Sequence, residues 1–316
     1  MTSIAVIGAG NMGANHGRVV ATSARAEMRV VIDTDAERAA ALAATIGTRS
    51  STDVREAFAC DAAIVAGPTE AHLDLALPLL EAGIPCLVEK PLADDLTAVR
   101  TLVDAAAEER VALMCGFVER FNPAILATHD LLDAEPYHLL AVRHSPHNPR
   151  TRSSVIDDLL IHDIDLVLGL ARGAVTSIGG SRWVSDDGVE EVVDCTLHFD
   201  GGAVATLSSS RASQRKVRSI SISTAEQLFE VDLLRHDLTT YRHRSAEVID
   251  RGGPSYRAET VVEIPFVRHA GEPLALQFDH FVDLIEGAAD PEMERATLLG
   301  PHEVVDTIKE RVRSST

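Results

Sequence analysis

A short β-prone run, Ser3–Ile7, leads into Gly8-Ala9-Gly10-Asn11-Met12-Gly13, and the pattern beyond it predicts a helix from Asn11 to about Ala21. No other feature constrains the fold of this chain so tightly, because each glycine meets a different steric demand. Gly8 permits a tight turn, Gly10 lets main chain approach a pyrophosphate, and Gly13 lets the helix lie against the strand. The amino terminus of that helix, at Asn11 and Met12, then offers N–H groups and the positive end of its dipole to an anion. A second run, Met28–Ile32, ends at Asp33, twenty residues past Gly13. A carboxylate there accepts from ribose hydroxyls, and Thr34 follows it in place of the arginine that suits a 2′-phosphate. The expectation is a dinucleotide site for NAD.

The rest of the first half alternates strand and helix. Helices are predicted over about 36–44, 71–82 and 96–108, and buried strands over about 60–66, 84–88 and 111–115. Alternation at these spacings implies right-handed crossovers and a parallel sheet that binds ligands at the carboxyl ends of its strands. Two strand ends carry candidates. Pro68, Thr69 and His72 follow the third strand, close to where a nicotinamide dinucleotide lies, although His72 reads equally as a helix-start histidine satisfied by main chain. Glu89-Lys90-Pro91 follows the strand at 84–88. The chain holds three lysines against 26 arginines, and a desolvated lysine exchanges a proton where arginine cannot. Proline forces Lys90 into an extended or turn conformation, so its amine is expected at the ligand edge.

The character changes after Phe121-Asn122-Pro123. A helix (about 123–132) and a strand (137–144) lead to a polar loop, 145–154, and a helix from about 155 to 170. Period-two strands follow: Val193, Cys195, Leu197 and Phe199 alternate with polar residues, and Asp200-Gly201-Gly202 marks a hairpin into 203–208. Ile220 and Ile222 alternate with serines, Gly252-Gly253-Pro254 reads as a loop, and helices over 274–286 and 302–312 close the chain. The expected architecture is α/β: a Rossmann-type domain over 1–120, then an α+β domain over 121–316 with an open-faced mixed or antiparallel sheet. Such a half-exposed sheet suits a homodimer or homotetramer contact.

Composition narrows the partners. The formal net charge of −19 argues against nucleic acid or an anionic membrane. Cys60, Cys86, Cys115 and Cys195 are scattered without C-x-x-C spacing, which predicts reduced core residues of a cytoplasmic protein and no metal site. A first strand by residue 3, and no apolar run of spanning length, predict neither a signal peptide nor a membrane segment.

The helix from Val155 carries the second chemical cluster. At 100° per residue, Ile156, Leu160, Ile164, Val167, Leu168 and Ala171 share one stripe, and Asp158, His162 and Asp165 fall opposite it. Four residues apart, Asp158 can hold one imidazole nitrogen of His162 and orient the other, which suits a general base.

Taken together, Gly8–Gly13, Glu89-Lys90-Pro91, Gly116-Phe117 with Arg120-Phe121-Asn122-Pro123, and the run Asp158–Asp165 resemble the Gfo/Idh/MocA sugar dehydrogenases over nearly the whole chain. The resemblance implies an active site between a Rossmann domain and an open-sheet domain. By matching position it makes Lys90 the lysine near nicotinamide and substrate, and His162 with Asp158 the acid/base pair. It also implies Glu89 beside the cofactor and Arg120 and Asn122 beside the substrate. A narrower likeness, carried by 119–124, 159–165 and 210–218, points to the UDP-N-acetylglucosamine 3-dehydrogenase branch. Two basic clusters, Arg143 with Arg150 and Arg152, and Arg211 with Arg215, Lys216 and Arg218, offer groups for a diphosphate. Arg211 is therefore a substrate-binding candidate. The implied activity is NAD-dependent oxidation of a nucleotide-sugar hydroxyl. A free-sugar or inositol dehydrogenase and a non-catalytic NAD(H) sensor are the alternatives.

Overall fold

The apolar runs at 4–7, 62–65 and 86–88 are buried on both sides, as strands must be when helices cover both faces of a parallel sheet. The computed structural model describes residues 1–147, 153–250, 253–267 and 271–314. In chain order its elements begin with β1 (Thr2–Ile7), α1 (Asn11–Thr22), β2 (Ala26–Ile32), α2 (Ala36–Ile46), β3 (Arg49–Ser51), β4 (Ala62–Val65), α3 (His72–Glu81), β5 (Cys86–Val88), α4 (Leu96–Glu108) and β6 (Leu113–Cys115). Then come α5 (Pro123–Leu131), β7 (His138–His144), a π-helical turn (Ile156–Leu160) running into α6 (Ile161–Leu170), β8 (Val175–Val184), β9 (Glu190–Phe199), β10 (Val204–Ser210) and β11 (Val217–Ser223). The chain closes with β12 (Leu228–Asp232), β13 (Asp237–Asp250), β14 (Gly253–Glu263), α7 (Pro273–Glu286), α8 (Pro291–Ala296) and α9 (Leu299–Ser314).

The chain divides into two compact units, Met1–Phe121 with Gly271–Asp306, and Asn122–Ala270 with Thr307–Thr316. A single division after residue 120 does not describe this, because 271–306 returns to the first unit. The reason is apolar: Leu274, Phe278, Phe281 and Val282 of α7 pack in one buried cluster with Ile4, Val6, Val20, Ile64 and Leu87. The first unit is built on a six-stranded parallel sheet in the order β3-β2-β1-β4-β5-β6, the doubly wound arrangement. Two of its helices, α2 and α4, start where acid side chains cap them. Asp35 accepts from the N–H groups of Glu37 and Arg38 to open α2, and Asp95 accepts from Ala98 N–H to open α4.

The second unit holds an eight-stranded mixed sheet, β14-β13-β12-β11-β7-β10-β9-β8, in which β7 and β10 run parallel and their neighbours antiparallel. α5 covers β12 and β13, while the π-turn and α6 cover β7 and β10. The opposite face is open: Leu140 (37% exposed) faces out between half-buried Thr206 and Ser221 of the flanking strands. β8 and the long β13–β14 hairpin are absent from the sequence reading, which placed only a loop at Gly252-Gly253-Pro254. Gly252 itself lies outside the described residues. β8 alternates in exposure without an apolar rhythm, so period-two pattern does not reveal it. All four cysteines are buried and free. Among the described residues no helix is long and apolar enough to cross a membrane.

Candidate active site

In the first unit the candidates gather along the carboxyl ends of the central strands. Gly8 N–H donates to Ile32 O, Ala66 N–H to Ile7 O, Glu89 N–H to Val65 O and Gly116 N–H to Val88 O, so the four strand ends lie in register. Gly8 has φ +103°, and a Cβ there would sit 2.6 Å from Ala66 C. A Cβ on Gly13 would come within 1.7 Å of Gly8 O, so no side chain fits between helix and turn. Around Gly10, by contrast, nothing lies within 4 Å of that position. No side chain caps α1 and its first turn carries no acid, which leaves the helix dipole at Asn11 and Met12 for an anion. Asp33 Oδ2 accepts from Ala9 N–H at 2.7 Å and Oδ1 from Asp35 N–H at 2.8 Å, fixing the carboxylate beside the turn with lone pairs to spare for ribose hydroxyls. These residues fit NAD.

Pro68 and Thr69 follow β4, whose end abuts Gly8. His72 is buried against main chain. It is 1% exposed, with Nδ1 3.0 Å from Pro91 O and Nε2 3.1 Å from Gly67 O. Its ring stitches two strand-end loops together, which corrects the expectation of a cofactor ligand. Lys90 sits half-buried directly after β5, and the Lys90–Pro91 peptide is cis. Glu89 is buried, its Oε1 2.7 Å from His16 Nε2 and its Oε2 accepting from Lys90 N–H at 3.3 Å, so it supports the lysine turn.

Two further candidates follow β6. Arg120 Nη1 donates to Thr297 Oγ1 (2.8 Å) and Glu294 Oε1 (3.2 Å), and its guanidinium lies 5.0 Å over the Phe117 ring. These contacts tie its Nη1 to the segment around α8. Asn122 is 1% exposed; Oδ1 caps α5 by accepting from Ala124 N–H, and Nδ2 donates to Leu233 O. It is a helix cap, a role that Asn before Pro at the first helical position signals in the sequence.

In the second unit, Asp158 lies within the π-turn and His162 one turn later on α6, both half-buried. Such one-turn π segments recur at functional sites. The helix is not amphipathic as expected. Asp163 and Asp165 are also buried, and Asp163 Oδ1 accepts from Arg143 Nε (2.9 Å) and Nη2 (2.8 Å) with both side chains almost fully enclosed. Arg143 is therefore not a surface group for a diphosphate. Arg150 and Arg152 lie outside the described residues. Arg211 is 3% exposed, 3.5 Å from Asp158 and 3.3 Å from Glu191, and donates to Ser153 O. Two carboxylates and a carbonyl surround it, so it braces the π-turn. Lys309 holds the other acid of the turn, Asp157, at 2.7 Å.

A doubly wound sheet with a glycine turn, an acid at the end of β2 and a strand-end lysine, in a chain similar to named sugar and inositol dehydrogenases, marks an NAD-dependent oxidoreductase acting on CH–OH groups. Residues 2–117 match the NAD-binding Rossmann fold of the oxidoreductase family Gfo/Idh/MocA, and residues 135–230 match that family's C-terminal domain. The chain belongs to the Gfo/Idh/MocA family. It is 32% identical over 258 residues to UDP-N-acetylglucosamine 3-dehydrogenase of Acidithiobacillus ferrooxidans, covering 81% of each chain. A solved structure of that enzyme superposes with TM-score 0.85 at 27% identity over 99% of this chain and 98% of the other. The chain is also 26% identical to the scyllo-inositol 2-dehydrogenase (NAD(+)) of Bacillus subtilis, over 91% of this chain and 87% of that one.

Proposed function

We propose that the enzyme oxidises a secondary hydroxyl of a nucleotide sugar, with C3 of UDP-N-acetylglucosamine the best-supported position. The observation that carries the reading is Lys90, half-buried at the carboxyl end of β5, two strands along from the glycine turn, in a chain similar along four fifths of its length to a dehydrogenase of that substrate. Bound NAD supplies the hydride acceptor. The chain's own part is the proton: His162 takes it from the reacting hydroxyl, Asp158 steadies the imidazole, and the Lys90 ammonium donates to the same oxygen as negative charge develops. Asp33 and the amides of α1 hold the cofactor in place.

The test is a panel of nucleotide sugars and polyols with NAD, followed by absorbance of the reduced nicotinamide and by mass analysis of the product. UDP-N-acetylglucosamine is the expected substrate, and Lys90→Ala and His162→Ala are each expected to lower kcat at least ~10²-fold with NAD affinity little changed. Near-normal turnover in either variant rejects that residue's role. The burial of Arg143 and Arg211 against acids favours a second reading, a free sugar or inositol as substrate, because it removes two groups from a diphosphate site. A KM for UDP-sugar that rises steeply with ionic strength supports the nucleotide sugar, and a salt-insensitive polyol as the one good substrate supports the other. Tight NAD binding with no substrate in the panel would mark a sensor. We also place self-association on the open sheet face around Leu140 and Trp183, and the enzyme in the cytoplasm, in keeping with its four free cysteines.

A further inference from the structure

Three imidazoles, all buried in the first unit, grip the residues on either side of Lys90. His16, on α1 and one turn past Gly13, is 1% exposed and lies 2.7 Å from Glu89 Oε1. His72, at the start of α3, lies 3.0 Å from Pro91 O. His302, on α9 and 5% exposed, accepts from Leu92 N–H at 3.0 Å through Nε2. The tautomer of His302 follows from its neighbours, since Leu298 O, 2.7 Å from Nδ1, accepts only and therefore places the proton there. Glu89, Pro91 and Leu92 are thus each tied to a different helix. The Glu89 carboxylate has no slack. Its Oε2 accepts from Lys90 N–H, and a Cβ on Gly116 would come within 2.8 Å of that oxygen.

We propose that His16 is a positioning residue for Lys90, acting through Glu89, with His72 and His302 bracing the far side of the turn. The proposal rests on the reading of Lys90 as the group at the reacting oxygen. A lysine side chain carries a flexible four-carbon stem, so the point from which it leaves the backbone must be held if the ammonium is to arrive in register. His16 does this from α1, the helix that the glycine turn opens, and so joins that helix to the lysine turn. A turn held only by strand hydrogen bonds and proline needs no buried imidazole–carboxylate pair, and burying such a pair is costly unless it fixes something.

The test compares His16→Gln with His16→Asn, each alone and in a Lys90→Ala background. The amide nitrogen of glutamine reaches the place of imidazole Nε2, and that of asparagine falls short. His16→Asn is expected to lower kcat roughly 10- to 100-fold, the scale of a misplaced catalytic group, with KM for NAD changed less than about threefold. His16→Gln is expected to recover most of the loss. In the Lys90→Ala background His16→Asn should cost less than about twofold more, because a residue acting through Lys90 has nothing left to position. Equal losses in Asn and Gln, a loss that appears in KM for NAD, or an undiminished loss without Lys90 overturns the proposal.

If His16→Asn does not fold, Gly116→Ala pushes on Glu89 from its other side and must show the same kcat split and the same dependence on Lys90, or the proposal falls. A further readout needs no turnover. With three lysines in the chain, reductive methylation followed by peptide mass reports Lys90 against Lys216 and Lys309 as internal references. His16→Asn is expected to change the relative rate at Lys90 at least threefold. An unchanged rate overturns the proposal even if no sugar is ever found to be a substrate, whereas a changed rate without any substrate leaves the clamp standing and removes the dehydrogenase reading.

Discussion

The two units hold their chemistry by different means. At the strand ends of the first, position is written in main chain: the glycine turn, the in-register ends of β1, β4, β5 and β6, and a carboxylate fixed by two N–H groups. Around the π-turn and α6 of the second, position is set by paired charges from distant parts of the chain. Arg143 reaches Asp163 across 20 residues, Arg211 reaches Asp158 across 53, and Lys309 reaches Asp157 across 152. Main-chain geometry tolerates most side-chain changes except at its glycines. A charge network tolerates few, since a buried ion that loses its partner carries the full desolvation penalty.

The contrast predicts its largest effect at Asp163. Asp163→Ala takes the carboxylate away from an enclosed guanidinium and is expected to cost about 3–5 kcal/mol in urea unfolding. Replacing both partners together, Asp163→Leu with Arg143→Met, is expected to recover most of that, because an apolar pair of similar size pays no desolvation penalty. A loss below about 1 kcal/mol for the single change would mean that the pair is not the support it looks to be. The first unit offers the counterpart. Asp33→Ala removes a charged acceptor from Ala9 N–H and from the cofactor's ribose, and is expected to weaken NAD about 10- to 100-fold by isothermal titration, the worth of one charge-assisted hydrogen bond. Its effect on unfolding should be much the smaller of the two, since that N–H can turn to water. If Asp33→Ala unfolded the protein as readily as Asp163→Ala, the distinction between the units would be gone.

The same contrast explains what the sequence disclosed. The places of the glycine turn, Asp33 and Lys90 at strand ends could be read because they follow from spacing along a strand, a turn and a helix, all within a few residues. Asn122 was legible in principle as a cap before Pro123, but its place in a family motif drew it toward substrate. Arg143 and Arg211 lie against carboxylates, but an arginine in an acidic chain looks the same whether it faces solvent or a buried acid; the partner is what differs, and it lies elsewhere in the sequence. The helix from Val155 misled for a related reason. Its polar residues fall on one side, yet that side is enclosed too, with Asp163 and Asp165 buried. His16 and His302 gave no sequence signal beyond being histidines, since their partners at Glu89 and Leu92 are 73 and 210 residues away. The return of 271–306 to the first unit was hidden in the same way, because an amphipathic helix does not say which core it covers.

The smallest predicted effect tests the charge network through pH. Glu190, at the start of β9, is buried, and burial alone would push its carboxyl up. A hydrogen bond from Ser154, the charge of Arg313 and a 2.6 Å contact to Arg182 outweigh that and leave it below the ordinary glutamate value. The sign then follows. In the window between the lowered folded value and the ordinary unfolded value near 4.3, the unfolded chain binds more protons, so stability rises with pH. The contribution is complete above that unfolded value and drains away as pH falls through the folded one. Glu190→Gln should therefore be less stable than the parent by on the order of 1 kcal/mol at pH 7, with the difference closing as pH falls to about 3. A gap that stays constant across that range would assign the loss to packing. A gap that widens as pH falls would mean that Arg182 and Arg313 do not hold the carboxylate in its charged form.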